Sequence, residues 1–365
     1  MPWRAAGTVS VLGLDIGGAN TKAAFVGTRG GEVLELRTEL EYFPFWKRNT
    51  TQFFNMLSRL KQKVSEGAEL DDVAVTLTAE LSDVYRTKRE GVNHILDYVC
   101  RVFSETEVLV LDSNAGLRSV DSARQNPLAV ASANWAATGW MVAQQLANCI
   151  AVDVGSTSTS IIPIVAGKLA AKGKTDLEKL MNGELVYTGS LRTNVAAIVN
   201  SVPVRGGVAR VSSELFAQSG DVHLLLSNIK PEDYSSDTAD GKGKTREEAL
   251  ARLARVVCAD IEMLSEQEIL GVAAYVYEQQ VEQIAEGLSQ VYQRLEANDC
   301  GEVPVVPTGL GRDFLARKAA EKAGLSKIVD FEELLPKGAA LASPAVGVAF
   351  MAATKLEGRR LMWKQ

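Results

Sequence analysis

Two segments of the chain share one alternation of apolar and polar positions. LGLDIGGANTKAAFV at residues 12–26 and IAVDVGSTSTSIIPI at residues 150–164 each contain an apolar strand ending in an aspartate, a glycine-containing turn and a second apolar strand. The two aspartates, Asp15 and Asp153, lie 138 positions apart, which is about the length of one small domain. The pattern therefore predicts two strand–turn–strand hairpins, one in each half of the chain.

The remaining periodicity predicts two α/β domains, residues 1–147 and residues 148–365. In the first, further strands are predicted at 32–40, 73–81 and 108–116, and helices at 50–66, 91–104 and 127–147. In the second, strands are predicted within 183–212 and at 303–311 and 327–331, and helices at 245–263, 266–296, 312–323 and from Pro344. The segment 245–296 is interpreted as a helical insertion, and 219–245 as an ordered loop or a mobile lid.

Composition narrows the class of protein. The formal net charge of −6 does not favour a nucleic-acid partner, and polar residues interrupt every long apolar stretch, so no membrane span is expected. The N-terminus lacks the pattern of a secretory leader, and Cys100, Cys149, Cys258 and Cys300 form no CxxC pair. We therefore interpret the cysteines as buried thiols of a cytoplasmic protein; the sequence leaves open whether the chain forms a homo-oligomer.

The two glycine turns have the chemistry of a phosphate site. Backbone N–H groups of such turns bind phosphate oxygens, and a neighbouring carboxylate holds the accompanying Mg²⁺. Asp15 and Asp153 are therefore the candidate metal ligands. The candidate diphosphate-binding residues are Gly17, Gly18, Asn20 and Lys22 in the first turn and Gly155, Ser156, Thr157 and Thr159 in the second. The alternative is a hairpin in which these residues only form the turn.

Charged residues follow the strand predicted at 73–81. Glu80, Asp83, Arg86, Lys88 and Arg89 lie together in TLTAELSDVYRTKREG, at the end of a strand, where ligands bind in α/β domains. The carboxylates are candidate general bases and the cations are candidate diphosphate ligands. The alternative is a solvated loop with surface ion pairs.

The polar segment 219–245 contains three further candidates for substrate contact, His223, Asp240 and Lys244. A histidine can transfer protons near neutral pH, although a single histidine is more often a hydrogen-bonded structural residue. The GKGKT sequence in this segment lacks the first glycine and the preceding strand of a P-loop, so it is interpreted as the entry to a helix. No GxSxG, HExxH or Cys/His cluster supports serine hydrolysis or zinc catalysis.

The repeated hairpin resembles the superfamily of actin, sugar kinases and heat-shock chaperone ATPases. The resemblance implies duplicated actin-like (ribonuclease H-like) α/β domains, each a mixed sheet flanked by helices, with a cleft between them. PTGLGRDFLARKAAEKAG at 307–324 is similar to the segment that holds adenosine in members that use ATP. An ATP-dependent small-molecule kinase and a non-enzymatic nucleotide-sensing protein are therefore the alternatives to the narrower resemblance that follows.

Several stretches resemble a narrower family, the methanofuran-biosynthesis synthases of methanogens and of bacteria with tetrahydromethanopterin-linked C1 transfer. They include LDIGGANTKAA, LTAELSDVYRTKREGVNHIL, VDVGSTSTSIIPI and DTADGKGKTREEALARLARVVCADIEML. The resemblance implies a transferase in which the phenol oxygen of γ-glutamyltyramine displaces diphosphate from an (aminomethyl)furan-methanol diphosphate. It implies that Mg²⁺ and the two turns hold the diphosphate, that no ATP is consumed, and that Glu80, Asp83 or Asp15 is the base.

One position departs from that family's pattern. The pattern has an acidic residue where this chain has Ser160. If the acid is a metal ligand or a base, the change puts activity in doubt; alternatively, it marks a related substrate, such as a bacterial furan-cofactor variant. Members of the family were formerly labelled hydantoinase/oxoprolinase-like, but the chain is short for an enzyme that also contains a hydantoinase catalytic domain.

Overall fold

The computed structural model describes residues 7–47, 50–296, 303–336 and 338–363. The chain divides into two compact units. Unit 1 comprises residues 1–151, 162–181 and 329–365, and unit 2 comprises residues 152–161 and 182–328. The first division, after residue 151, is close to the boundary predicted at 147/148. The C-terminal segment nevertheless belongs to unit 1, because its last helix packs on the first sheet.

The strands and helices follow the predicted alternation. The strands are β1 Thr8–Ile16, β2 Asn20–Arg29, β3 Glu32–Tyr42, β4 Asp72–Leu77, β5 Glu107–Leu111, β6 Leu117–Ser119, β7 Cys149–Val154, β8 Thr159–Val165, β9 Lys168–Leu169, β10 Leu185–Val186, β11 Ser201–Val204, β12 Gly207–Arg210 and β13 Val305–Gly309. The α-helices are α1 Thr50–Ser65, α2 Lys88–Val102, α3 Val120–Gln125, α4 Pro127–Val130, α5 Asn134–Ala143, α6 Asp176–Met181, α7 Val195–Ile198, α8 Ser219–Leu225, α9 Arg246–Arg255, α10 Glu266–Glu296, α11 Arg317–Lys322, α12 Phe331–Leu334 and α13 Ser343–Glu357.

Unit 1 is built on a six-stranded mixed sheet with the order β3-β2-β1-β4-β5-β6. Strands β1, β4 and β5 are parallel, whereas β2, β3 and β6 run antiparallel to their neighbours. The carboxyl ends of the three parallel strands therefore lie at one edge of the sheet. Ligands bind at such an edge in open α/β sheets, so the turn after β1 and the turn after β4 are the first places to look for a site.

Helices cover the sheet of unit 1 through apolar side chains that the sequence pattern identifies. On α1, Phe53, Leu57, Leu60 and Val64 recur with helical spacing and all four are buried. Helix α13 is buried along residues 343–353 and packs on β1 and on α5. Small residues permit this close packing: a Cβ atom added at Gly13 of β1 would lie only 2.0 Å from the carbonyl oxygen of Ala345.

The second sheet has the order β10-β8-β7-β13, with β9 paired to β8. Strands β7 and β8 form the second predicted hairpin, and the division between the units crosses both of them. In unit 2, capping boxes at Thr245/Glu248 and Ser265/Glu268 begin α9 and α10, as the sequence predicts. Strands β11 and β12 form a separate two-stranded ribbon.

Several predicted elements differ from the structure. The helix predicted at 127–147 is divided, because Ser132, with a φ of 52°, interrupts it between α4 and α5. The strand predicted at 183–193 pairs only over Leu185–Val186. Residues 219–225, predicted as part of a loop or lid, form the buried helix α8. The helix buries Val222, Leu224 and Leu225, whose apolar pattern is hard to recognise in the sequence because polar residues flank it.

The structure describes three of the four cysteines that were predicted to be buried. Cys149 is buried and Cys100 is half-buried, but Cys258 is exposed in a turn with a positive φ, so its prediction as a buried thiol is wrong. Cys300 lies outside the described residues. No helix within the described ranges combines the length and the apolar composition needed to cross a bilayer.

Candidate active site

The two predicted hairpins have turns closed by the same hydrogen bond. In the first turn, the backbone N–H of Gly17 donates to the carbonyl oxygen of Asn20 at 3.0 Å. In the second turn, the N–H of Gly155 donates to the carbonyl oxygen of Ser158, also at 3.0 Å. Both residues of each pair are shifted by the same 138 positions that separate Asp15 from Asp153. The predicted repeat of a strand–turn–strand element is therefore confirmed at the level of backbone geometry.

The first turn places a carboxylate and a cation side by side. Asp15, near the end of β1, is buried, and Lys22 on β2 lies opposite it in the strand register, with Nζ 3.8 Å from Asp15 Oδ2. A Cβ atom at Gly17 would lie 2.7 Å from the carbonyl oxygen of Asn20, so the tight turn requires glycine there. A Cβ atom at Gly18 would meet no atom within 4 Å, so the turn has open space at this residue.

Glu80 is the buried carboxyl group at the end of the neighbouring strand. It lies in the short turn Ala79–Leu81 that follows β4, and only 1% of it is exposed. Its Oε1 accepts a hydrogen bond from Ser132 Oγ at 2.7 Å and lies 3.7 Å from Lys88 Nζ. Burial raises the pKa of Glu80 to about 7, against the opposing effects of the Ser132 hydrogen bond and the Lys88 charge. A carboxyl group that titrates near neutral pH is suited to accept a proton.

Lys88, the first residue of α2, connects Glu80 to a second carboxylate. Its Nζ donates to Ser132 Oγ at 3.0 Å and to Asp176 Oδ2 at 2.8 Å. Asp176 is the first residue of α6, in the segment 162–181 that belongs to unit 1. The structure therefore brings together two predicted residues, Glu80 and Lys88, and two that sequence analysis missed, Ser132 and Asp176.

The other charged residues of the 76–91 segment are on the surface. Asp83, Arg86 and Arg89 are exposed. The guanidinium of Arg89 donates to the carbonyl oxygen of Arg124, and Glu90 accepts from the backbone N–H of Arg86. The side chains of these three residues do not join the Glu80 cluster, and their predicted roles as base or ligands stay predictions.

The second turn is covered by backbone from two other segments of unit 2. The N–H of Ser190 donates to the Gly155 carbonyl at 2.9 Å, and the N–H groups of Leu191 and Arg192 both donate to the Ser156 carbonyl. Gly309, at the end of β13, has a φ of 83°, and a Cβ atom there would lie 2.6 Å from Asp153 Oδ1. Only glycine fits this position, so the turn after β13 approaches the Asp153 carboxylate closely.

Two threonine hydroxyl groups of the second hairpin bond to other segments of unit 2. Thr159 is buried and its Oγ1 donates to the Thr188 carbonyl at 2.8 Å, while Thr157 Oγ1 accepts from Arg192 at 3.1 Å. Ser160, on β8, lies opposite Leu185 of β10 and is half-buried. Thr159 thus helps to hold the segment that covers the turn, and its role as a diphosphate ligand stays a prediction.

His223 is a structural residue of unit 2. It is fully buried on α8; its Nε2 contacts Gln280 Oε1 at 3.0 Å, and its Nδ1 contacts Asn228 Nδ2 at 3.2 Å. The side-chain amide of Gln280 donates onward to Thr188 Oγ1 and to the Gly189 carbonyl. Burial lowers the pKa of His223 to about 3, so the ring is neutral at physiological pH. His223 therefore belongs to a buried network that supports the 188–193 segment, and its substrate contact stays a prediction.

Asp240 and Lys244 are likewise bonded within unit 2. Asp240 accepts from Arg252 Nη1 at 3.2 Å and from Arg255 Nη1 at 3.3 Å. Lys244 donates to the carbonyl oxygen of Tyr234 and lies over its ring, 5.3 Å from the centroid. These contacts connect residues 234–245 to α9, and the contact of Asp240 and Lys244 with substrate stays a prediction.

The carboxylates permit a test of the predicted Mg²⁺. Within the described ranges, no three His, Cys, Asp or Glu side chains form a cluster that could hold a metal ion. Each hairpin instead offers one aspartate beside a glycine turn. Mg²⁺ is commonly held by one or two carboxylates, with waters and phosphate oxygens completing its octahedron. The donor set therefore fits a Mg²⁺ ion that arrives with a phosphorylated ligand and does not fit an all-protein metal cage.

Comparison with known proteins identifies relatives of this chain. The hydantoinase/oxoprolinase family profile matches residues 71–355. The (4-{4-[2-(gamma-L-glutamylamino)ethyl]phenoxymethyl}furan-2-yl)methanamine synthase of Methanocaldococcus jannaschii is 39% identical over 350 residues, which cover 96% of this chain and 99% of the relative. The protein of the same name from Methanococcus vannielii is 39% identical over 214 residues, which cover 58% of this chain and 94% of the relative.

A solved structure supports the fold. The nucleotide-free structure of acetone carboxylase is similar over 94% of this chain and 70% of that chain, with a TM-score of 0.53 and 11% sequence identity. At this identity the likeness concerns the fold alone, and it confirms the predicted fold class. The sequence relatives decide the family. The chain belongs to the hydantoinase/oxoprolinase family. Within that family it belongs with the (4-{4-[2-(gamma-L-glutamylamino)ethyl]phenoxymethyl}furan-2-yl)methanamine synthases.

Proposed function

We propose that this chain is an ether-forming transferase that joins a furan-methanol unit to the phenol oxygen of γ-glutamyltyramine. The relatives are named for a product with a phenoxymethyl link between a γ-glutamylaminoethyl phenyl group and a furan methanamine. The structural observation that supports the proposal is the Glu80 carboxyl group. It is buried at the carboxyl edge of the sheet, and its Oε2 atom has no hydrogen-bond partner among the described residues.

The proposed reaction is a displacement at the furfuryl carbon. A phenol has a pKa of about 10, so its oxygen is a weak nucleophile at neutral pH unless a base accepts the proton. The Glu80 carboxylate accepts the phenol proton as the oxygen forms a bond to the furan CH₂ carbon. The bond from that carbon to the diphosphate oxygen breaks, and its electron pair leaves with the diphosphate. Because a furfuryl carbon tolerates positive charge, stabilisation of the leaving group contributes strongly to the rate.

The glycine turns are the proposed diphosphate ligands. The first offers the Gly17 and Gly18 backbone and the Lys22 ammonium, and the second offers the Gly155 and Ser156 backbone. Asp15 and Asp153 would hold Mg²⁺, which supplies positive charge that neutralises the departing diphosphate. Arg86 and Arg89, exposed near Glu80 in the chain, are proposed ligands of the glutamyl carboxylate.

The direct test is the reaction without ATP. The purified protein is incubated with Mg²⁺, the (aminomethyl)furan-methanol diphosphate and γ-glutamyltyramine, and diphosphate and ether are followed by mass spectrometry. We expect equal amounts of both products. A requirement for ATP, or ATP hydrolysis without ether, would instead support the kinase alternative.

Asp15→Ala and Asp153→Ala are each expected to weaken Mg²⁺-dependent diphosphate binding by about 10-fold to 100-fold, the loss of one charge-assisted interaction. Titration calorimetry with inorganic diphosphate, with and without Mg²⁺, measures the effect. Asp83→Asn removes an exposed carboxylate of unit 1 that lies outside both turns, and it is the control. If both aspartate variants bind diphosphate as the parent does, the turns are not its site.

A further inference from the structure

We propose that Ser132 and Asp176 are positioning residues that fix Glu80 and Lys88 as one proton-accepting unit, with Glu80 Oε2 as the oxygen that takes the proton. This inference rests on the proposed role of Glu80 as the base. Neither positioning residue adjoins Glu80 in the sequence: Ser132 is 52 positions from it, and Asp176 is 88 positions from Lys88. Their contribution becomes visible only in the folded unit 1.

The hydrogen-bond directions assign the reactive oxygen. A serine hydroxyl has one proton to donate, whereas the Lys88 ammonium can only donate. Because Lys88 Nζ donates to Ser132 Oγ, the single hydroxyl proton of Ser132 is available for Glu80 Oε1, 2.7 Å away. Oε1 is thereby held as an acceptor. The other oxygen, Oε2, is buried and has no hydrogen-bond partner among the described residues, so an incoming proton binds there.

Asp176 also accepts a hydrogen bond from the Lys88 ammonium. A lysine at the first position of a helix opposes the helix dipole, so its charge needs compensation. Asp176 Oδ2, 2.8 Å from Nζ, and the Glu80 carboxyl, 3.7 Å away, supply it. Helix α6 is itself anchored, because Lys179 is buried with its Nζ 4.5 Å from the centre of the Trp135 ring. Packing of Lys179 against Trp135 therefore fixes the helix on which Asp176 lies.

The backbone also shows the cluster to be built for close approach. Ser132 has a φ of 52°, a conformation that non-glycine residues rarely adopt. A Cβ atom at Gly91 of α2 would lie 2.6 Å from the Cα atom of Glu80, so the helix that begins with Lys88 packs directly on the Glu80 turn. The charged groups that act on Glu80 are Lys88 of α2 and Asp176 of α6, and Glu80 in turn acts on the nearby Tyr85 hydroxyl.

The pH dependence of kcat/KM for ether formation tests the arrangement. Ser132→Gly removes the hydroxyl and suits the positive φ, so the fold is retained. It is expected to move the acidic limb of the profile upward by about one pH unit, the value of a hydrogen bond to a charged group. Lys88→Met is expected to shift the limb in the same direction. Asp176→Asn is expected to shift it downward, since a neighbouring negative charge is lost while the amide oxygen still accepts from Lys88.

The control is Ser119→Ala, which removes the N-cap hydroxyl of α3 in the same unit. It perturbs local stability and is expected to leave the limb in place. Opposite shifts for Ser132→Gly and Asp176→Asn support the inference, because general damage would lower the rate without moving the limb. Coincident profiles for the parent and both variants overturn it. If the parent forms no ether at all, the proposed function is wrong. That outcome differs from coincident pH profiles, which overturn only the positioning roles of Ser132 and Asp176.

Discussion

Glu80→Gln is expected to slow ether formation by about 10²-fold to 10⁴-fold, the usual contribution of a general base, while making the fold more stable above pH 7. The substitution keeps the size of the side chain and an oxygen that accepts from Ser132, so the loss of rate reports the loss of the base. Stopped or quenched assays of ether formation at saturating substrate measure it. A gain in stability together with a loss of activity distinguishes a catalytic carboxylate from a structural one.

The sign of the stability change follows from the pKa. Burial raises the pKa of Glu80 from 4.5 to about 7, so between these values the native state binds more protons than the unfolded state. The stability of the parent therefore falls as the pH rises from 4.5 to 7. At about 1.4 kcal/mol per pKa unit, the ionised group costs about 3 kcal/mol at pH 8. Glutamine avoids this cost, and its advantage disappears below pH 4.

Urea unfolding of the parent and Glu80→Gln at pH 4 and pH 8 measures this difference. Asp83→Asn is the matched control, because Asp83 is an exposed carboxylate three positions away. We expect it to change neither the free energy of unfolding nor its pH dependence. If Asp83→Asn is slow and Glu80→Gln turns over normally, the base is Asp83 and the burial of Glu80 has another cause.

Local patterns in the sequence predict the elements that position the site. The hairpins around Asp15 and Asp153 follow from strand alternation and glycine, and their turns are closed by equivalent hydrogen bonds. The capping boxes at Thr245 and Ser265 likewise mark where long helices begin. These features are determined by residues within a few positions of each other, which is why a sequence pattern contains them.

The groups that complete the site depend on contacts distant in sequence. Ser132 lies within a stretch predicted to be continuous helix, yet it adopts a φ of 52° and its hydroxyl meets Glu80, 52 positions away. His223 looks like a candidate proton carrier in a polar segment, yet its burial makes it a neutral link to Gln280. Periodicity does not report which side chains meet after folding, so exposed and buried polar residues look alike in the sequence.

Arg252→Met is expected to destabilise the protein by about 3–5 kcal/mol, the effect of breaking a buried ion pair. Arg252 lies on α9, in the family-like block DGKGKTREEALARLAR, and is fully buried. It lies 2.8 Å from Asp221 Oδ1, and it donates to Asp240 and to the Gly243 carbonyl. Its removal leaves Asp221, also fully buried, without a compensating charge.

Arg255→Met is the matched control for this substitution. Arg255 is on the same helix and contacts Asp240, but 39% of its side chain is exposed, so its loss is expected to cost at most about 1 kcal/mol. Because burial already raises the pKa of Asp221, losing the Arg252 charge raises it further, and the Arg252→Met deficit should be larger at pH 8 than at pH 5. Thermal and urea unfolding at both pH values measure it. Equal losses of stability for Arg252→Met and Arg255→Met would show that the Arg252–Asp221 ion pair does not hold α8 and the rest of the 219–245 segment in place.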